Sequence, residues 1–151
     1  MILISHRGNI DGKNIDLENS PDYIMSAIKK GYDVEIDVWH VNGSFFLGHD
    51  EPQYEIEWSF LLSPGLWCHA KNIEALSNMI SIGAHCFWHQ SDDVTLTSKG
   101  FLWTYPGKKI LGNSICVLPE LFEHDRIDCA GICSDFIERY EKEYNDKSNS
   151  I

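Results

Sequence analysis

The stretch from Asp33 to His49, DVEIDVWHVNGSFFLGH, contains the two patterns that decide the predicted fold. Over residues 33–39, valine and isoleucine alternate strictly with acidic or aromatic residues, which is typical of a β-strand whose side chains point alternately to two faces. Asn42-Gly43 then predicts a tight hairpin turn into a second strand that ends at His49. Glu35 and Asp37 fall on the same face of the first strand.

Short apolar runs alternate with helical patterns along the rest of the chain, which favours an α/β fold. A complete (β/α) barrel takes about 250 residues, and this chain has 151. We therefore expect a compact, reduced TIM-type (β/α) barrel with roughly seven or eight strands and few full helices. One domain would span residues 1–144, followed by a polar tail over 145–151. The strands are expected over 2–5, 33–39, 44–49, 66–71, 85–89, 101–104, 115–118 and 130–133, and the helices over 21–30, 73–82 and 136–144.

Composition limits the kinds of partner that the chain can bind. Twenty-three acidic residues against twelve basic ones give a net charge of −11, which argues against duplex nucleic acid as a partner because phosphate binding needs a basic face. A small phosphate ester stays open, since one cation and a few bases can make a local positive spot. No apolar run approaches the ~20 residues of a transmembrane segment. The first residues lack the basic start of a signal peptide, so we expect a cytoplasmic protein with its five scattered cysteines reduced.

Several chemically active residues follow predicted strands. In a parallel barrel all strand ends open on one mouth, where active sites lie. Two acidic side chains would face inward at that mouth, and their burial costs free energy unless a cation or hydrogen bonds satisfy them. The alternative interpretation is that they belong to an edge strand whose polar face lies in water. Residues of these types can bind an anionic phosphate together with a metal ion and supply the acid and the base for its cleavage. The residues at this mouth are Glu35, Asp37, His6, Arg7, His49, His69 and Lys71.

Four motifs within residues 3–50 occur in the order found in a known enzyme family. They are His6-Arg7-Gly8, Glu18-Asn19, Glu35-Ile36-Asp37 and His49-Asp50. In this region the chain resembles the N-terminal half of the glycerophosphodiester phosphodiesterases and the related phospholipase-D-type toxins.

The resemblance implies a divalent-metal-dependent phosphodiesterase that cleaves a small glycerophosphodiester-like substrate. It implies that Glu35 and Asp37 bind the ion and that His6 and His49 form the catalytic acid–base pair. It further implies that Arg7 binds a phosphate oxygen. Glu18 and Asp50 would support the mouth through hydrogen bonds.

The third strand departs from the family pattern, which has an acidic ligand followed two residues later by a lysine. Here the residues are His69-Ala70-Lys71, so Lys71 fits a phosphate contact while His69 stands where a carboxylate is expected. The family suggests Mg²⁺ or Ca²⁺, but an imidazole ligand would also suit Mn²⁺ or Zn²⁺. His69 is therefore either a metal ligand or a phosphate contact beside a water-filled position.

The resemblance is weaker in the second half of the chain. Trp103, in a strand that resembles a late strand of the family, and His89, at another strand end, are predicted to line the substrate pocket. Ser134-Asp135 resembles the threonine–aspartate that ends the family's last strand. His40, His85 and His124 are interpreted as ordinary polar residues.

Two other functions are compatible with the same residues. One is a non-catalytic module that binds a phosphate ester on a degenerate barrel. The other is a metal hydrolase of another bond, with an ion held by His49, His69 and His89 and with Glu35 as the base. An exposed barrel edge would favour a homodimer. The sequence leaves the alcohol groups of the substrate open.

Overall fold

The structure, a computed structural model, describes residues 1–122 and 128–148. Among these residues there are three α-helices and ten strands in one sheet. The strands are β1 (Ile2–His6), β2 (Asp33–Val41), β3 (Ser44–Leu47), β4 (Tyr54–Ile56), β5 (Leu66–Ala70), β6 (Cys86–Trp88), β7 (Val94–Leu96), β8 (Leu102–Thr104), β9 (Ser114–Val117) and β10 (Gly131–Ser134). The helices are α1 (Pro21–Lys29), α2 (Ile73–Ile82) and α3 (Ile137–Ser148), with 3-10 turns at Trp58–Leu62 and Pro119–Leu121.

Parallel strands form the centre of the sheet, in the order β6-β5-β2-β1-β10-β9-β8. The hairpin strands β3 and β4 extend antiparallel from the far end of β2, and β7 lies antiparallel to β8. The first and last strands are therefore direct neighbours. This pairing brings residues near position 6 beside residues near position 135.

The sheet is curled but open. No strand pairing joins β6 to β8 anywhere in the described ranges, yet Phe87 of β6 packs on Trp103 of β8 with ring centroids 4.5 Å apart. Trp67 of β5 also reaches Trp103, at 5.9 Å. The predicted mixed α/β class with few full helices is confirmed, whereas a complete TIM barrel is not shown.

The three helices cover parts of the outer face of the sheet. Helix α2 begins where the Asn72 side chain accepts the Ala75 N–H at 3.0 Å, and it ends at Gly83, whose φ of +79° is a conformation that glycine adopts easily. Helices α1 and α2 pack on the β2 and β5 region, and α3 packs on β1 and β10. None of the helices in the described part of the chain has the length and apolar character needed to cross a membrane.

The alternation of side chains between the two faces of each strand determines where the polar residues of the site lie. Inside the curl, Ile4, Trp67 and Cys133 belong to one buried apolar cluster. Two residues further along the same strands, the inward positions are His6, His69 and Asp135. The interior is thus apolar at one end and polar at the carboxyl ends of the strands.

Besides shifts of one or two residues at several strand ends, three elements differ from expectation. Strands β4 and β7 were not expected; each has only three residues and is defined by its hairpin partner. Helix α3 continues to Ser148, past the expected domain end at 144. The remainder of the predicted tail, 149–151, lies outside the described residues. The five cysteines are free thiols.

Candidate active site

A cavity of about 540 Å³ opens at the carboxyl ends of the parallel strands. Among the side chains that line it are His6, Arg7, Glu35, His49, His69, Lys71, His89 and Trp103. Asp37 and Glu18 are buried directly behind this lining and contact Arg7. The strand ends therefore bring together the residues that sequence analysis placed at one mouth.

Two buried carboxylates lie at the centre of the site. One ligand atom from each of Glu35, Asp37 and His69 lies within 4.8 Å of the other two. Glu35 Oε2 and Asp37 Oδ1 are shielded from solvent, and no group of the described residues hydrogen-bonds to them in good geometry, although His69 Nδ1 and Lys71 Nζ lie at ion-pair distance from Asp37 Oδ1. Buried charged oxygens without donors are costly, so the arrangement fits a bound cation that would satisfy both of them.

His69 is oriented as metal-binding histidines commonly are. Its Nε2–H donates to the backbone carbonyl of His89 at 2.8 Å, which leaves Nδ1 facing Asp37 Oδ1 at 3.2 Å and Glu35 Oε1 at 3.7 Å. Burial alone would lower the pKa of His69, but the two carboxylates outweigh it and raise that pKa to about 9. Nδ1 therefore holds either a proton or a cation, and the two compete for one position.

His6 is fixed from behind by Asp135. The His6 Nδ1–H donates to Asp135 Oδ1 at 2.7 Å, while Nε2 lies 3.8 Å from Glu35 Oε2. Asn9 Nδ2 donates to the same Asp135 oxygen at 2.8 Å. Burial opposes protonation of His6, but the Asp135 hydrogen bond and the charge of Glu35 together raise its pKa above the ordinary value. The ring is thus held with Nε2 in the cavity.

Arg7 connects the first strand end to the carboxylates. Its Nη1 donates to Glu18 Oε2 at 3.1 Å, and Nε lies 3.0 Å from Asp37 Oδ2, at ion-pair distance but without hydrogen-bond alignment. Nη2 is 3.4 Å from His49 Nε2. The guanidinium therefore lies between the buried acids and the more exposed histidine, where it could bind a phosphate oxygen.

Asp37 contacts several of the polar side chains on the side of the cavity where His49 lies. Its Oδ2 accepts the Asn19 amide N–H at 2.9 Å and is 3.2 Å from His49 Nδ1. Lys71 Nζ lies 3.4 Å from Asp37 Oδ1 and 3.5 Å from His49 Nδ1. Burial favours the neutral acid, but the close contacts with His49 and His69 hold the pKa of Asp37 well below its usual range. Asp37 is therefore a carboxylate at neutral pH.

Asp50 is placed differently from the other predicted residues. Its side chain is 95% exposed, and Oδ1 lies 3.7 Å from His49 Nε2. A supporting hydrogen bond from Asp50 to the mouth therefore stays a prediction. Glu18, the other predicted support, is buried and accepts hydrogen bonds from Arg7 and from Asn9.

Three residues of the site had no assigned role in the sequence analysis: Asn9, Asn19 and Asp135. Asp135 carried a signal, because it directly follows the last strand, where the family that the sequence resembles has an acidic residue. Asn19 belongs to the Glu18-Asn19 motif, but only the fold places its amide against Asp37. Nothing in the local sequence around Asn9 points to its contacts.

The three-histidine interpretation finds no support. In the ranges 1–122 and 128–148, Glu35, Asp37 and His69 form the one group of three or more ligand-type side chains close enough to share an ion. The His89 ring centroid is 6.4 Å from that of His69.

The remaining histidines lie away from the cavity or outside the described chain. His40 packs on Phe45, and His85 Nε2 contacts Thr97 Oγ1 at 2.9 Å. His124 lies outside the described residues.

Comparison of the chain with protein-family models, with curated proteins and with solved structures finds no significant match.

Proposed function

We propose that this protein is a divalent-metal-dependent phosphodiesterase that cleaves a glycerophosphodiester-like substrate, with His6 and His49 as its acid–base pair. The observation that carries the proposal is the convergence of Glu35, Asp37 and His69 around two buried carboxylate oxygens to which no described residue makes a hydrogen bond in good geometry. Arg7 and Lys71, which would bind the phosphate, line the same cavity as the imidazoles of His6 and His49.

The charge balance of the site supports a divalent cation. Four carboxylates, of Glu18, Glu35, Asp37 and Asp135, face the cationic Arg7 and Lys71. When a cation takes the place of the His69 Nδ1 proton and the other histidines are neutral, two negative charges remain among these groups, which one divalent ion would balance. Oxygen ligands alone suit Mg²⁺ or Ca²⁺, whereas the imidazole of His69 also suits Mn²⁺ or Zn²⁺.

A bound ion would supply Lewis-acid polarisation of a phosphoryl oxygen. Arg7 and Lys71 both reach the neighbourhood of His49, so they would hold the non-bridging oxygens and offset the charge that develops in the transition state. Substrate binding would weaken their present contacts with Asp37.

The two histidines would exchange protons with the reacting oxygens. Asp135 keeps the proton of neutral His6 on Nδ1, so Nε2 can accept a proton from the attacking oxygen. His49, more exposed and near Arg7, would donate a proton to the leaving oxygen. The attacker is water, which gives hydrolysis, or a neighbouring hydroxyl of the substrate, which gives a cyclic phosphate.

The finer sequence expectations form part of the same proposal. The open, curled sheet would be a reduced TIM-type barrel that keeps its catalytic mouth. The free cysteines suit a reducing compartment such as the cytoplasm. The open strand edges at β4 and β7 would allow a homodimer.

The proposal is tested with bis(p-nitrophenyl) phosphate and a panel of glycerophosphodiesters, each with Mg²⁺, Ca²⁺, Mn²⁺ and Zn²⁺ in turn. We expect turnover that a chelator abolishes and one of these ions restores. His6→Ala and His49→Ala should each lower kcat by about 10²–10⁴-fold, as expected for loss of a general acid or base.

The matched control is His40→Ala, because His40 lies on the same strand as Asp37 but outside the cavity. It should keep full activity. Chelator-resistant turnover that survives His6→Ala would refute the proposal. Metal-dependent binding of phosphate esters without any turnover would instead support the non-catalytic binding module.

A further inference from the structure

The main cavity has two chemically different halves. One half carries the histidines, the acids and the bases described above. The other half is lined by large apolar side chains, which we call the apolar wall: Trp103, Tyr105, Leu118, Leu121 and Phe122. The proposed phosphate chemistry uses none of these five residues.

Part of the apolar wall is exposed at the rim of the cavity. Leu121 is 62% exposed, Phe122 is 51% exposed and Tyr105 is 43% exposed. Neighbouring large apolar side chains that remain in water commonly mark a binding surface. Here they border a cavity whose size is within the range of small-molecule sites.

His89 is a second, independent sign of a ligand in this half. His89 is only 7% exposed, and neither of its ring nitrogens has a hydrogen-bond partner among residues 1–122 and 128–148. Such unpartnered buried groups are uncommon and costly. The His89 ring lies 4.5 Å from the Tyr105 ring and 6.4 Å from the His69 ring, between centroids. It therefore lies where the metal half of the cavity meets the apolar wall.

We infer that the apolar wall and His89 form a subsite for one of the two alcohol groups of the phosphodiester, and that this alcohol is bulky and mostly apolar. It carries a hydroxyl or carbonyl oxygen close to the ester carbon, which pairs with His89. The inference rests on the proposed function, because that function places the phosphate against Arg7 and Lys71. A bare glyceryl group would leave the wall uncovered.

Direct binding of product-like phosphates tests the apolar part of the subsite without turnover. Methyl, butyl and octyl phosphate are titrated by calorimetry into protein saturated with Mn²⁺. We expect affinity to rise about two- to fourfold for each methylene that the wall buries. Phenyl and cyclohexyl phosphate are compared in the same way, to distinguish an aromatic from an aliphatic alcohol.

A double variant, Leu121→Ala with Phe122→Ala, should flatten the dependence on chain length and leave methyl phosphate binding unchanged. The control is Leu111→Ala, which truncates a half-exposed leucine that does not line the cavity. It should keep the dependence on chain length. Equal effects of the two truncations would contradict the inference.

The polar part is tested with octyl phosphate and 2-hydroxyoctyl phosphate. The wild-type protein should bind the hydroxylated compound about tenfold more tightly, since one net hydrogen bond is worth roughly that factor. His89→Phe keeps the backbone carbonyl that holds His69 and should abolish the preference while the dependence on chain length remains.

The outcomes separate this inference from the proposed function. If methyl phosphate binds and octyl phosphate binds no more tightly, the subsite is refuted and the phosphodiesterase proposal stands. If none of these compounds binds, and inorganic phosphate does not bind either, both are refuted.

Discussion

His6 depends on a carboxylate that lies 129 residues away along the chain. Asp135 accepts both the His6 Nδ1–H and an amide hydrogen of Asn9 on a single oxygen. Burial would raise the pKa of Asp135, but the hydrogen bond with His6 lowers it below the usual value. An ionised acid at Nδ1 fixes one tautomer of the imidazole and stabilises the imidazolium.

Replacement of Asp135 by asparagine should therefore damage catalysis more than binding. In Asp135→Asn an amide can present either oxygen or N–H₂ to Nδ1, so the tautomer is no longer fixed. We expect kcat to fall by about 10²–10⁴-fold with little change in KM. Steady-state kinetics on the best diester measures this. Asp93→Asn, at an exposed carboxylate paired with Lys108, is the matched control, and an equal loss in both variants would contradict the assigned role.

The pKa of His85 in the folded protein should make the stability of the fold depend on pH. Burial, and then the charge of Lys99, lower its pKa to about 4. The unfolded chain binds a proton near pH 6.5, so the folded state loses stability as the pH falls from about 6.5 to 4. For this partly exposed group the loss should be about 2 kcal/mol. Urea unfolding at a series of pH values should show that the free energy of unfolding falls more steeply with decreasing pH in the wild type than in His85→Gln. Parallel pH dependences of the two proteins would contradict this prediction.

At the scale of elements, the loop after β3 presents His49 to the site. Gly48 N–H donates to the Asp37 carbonyl at 3.2 Å, and Gln53 N–H donates to the Leu47 carbonyl at 2.9 Å. Gly48 has φ +150°, and a Cβ there would overlap the backbone carbonyl oxygen of Glu51. The tight course of this loop therefore requires glycine.

Gly48→Ala should destabilise the fold and reduce activity. The overlap is with backbone rather than with a flexible side chain, so the loop must shift and His49 must shift with it. We expect a loss of about 2–3 kcal/mol, larger than the roughly 1 kcal/mol expected at an open left-handed turn position. Gly43→Ala provides that comparison, because a Cβ on Gly43 meets nothing within 4 Å. Urea denaturation and kcat of the two variants test it, and equal losses would contradict the argument.

The elements also show what the sequence could predict. The alternation of β2 and the Asn42-Gly43 turn carry enough local information to place β2, β3 and the shared face of Glu35 and Asp37. Strands β4 and β7 have only three residues each and no pattern of their own. The contacts of Asn9 and Asp135 depend on the parallel pairing of β1 with β10, which a residue-by-residue pattern does not contain.

At the scale of the whole molecule, the cluster of Glu35, Asp37 and His69 joins β2 to β5 inside a sheet that, in the part of the chain described, does not close by strand pairing. Without a cation, Glu35 is a buried carboxylate whose ion-pair neighbours among the described residues are only His6 and His69, and this opposes folding. An ion that binds the folded protein alone would remove that cost and link the two strands. Metal binding and folding are therefore expected to be coupled.

Saturating metal should stabilise the fold by an amount that mass action sets. With free ion at one hundred times its dissociation constant, the free energy of unfolding should rise by about 2.7 kcal/mol. Asp37→Asn should abolish this rise because it removes a ligand from the cluster. Asp33→Asn should preserve it: Asp33 lies on the same face of β2, but at the opposite end of the strand, where it accepts the Trp67 indole N–H. Urea unfolding of the three proteins with and without Mn²⁺ measures the effect. A stabilisation that persists in Asp37→Asn would mean that the ion binds elsewhere, and the carboxylate pair would then lose its proposed role.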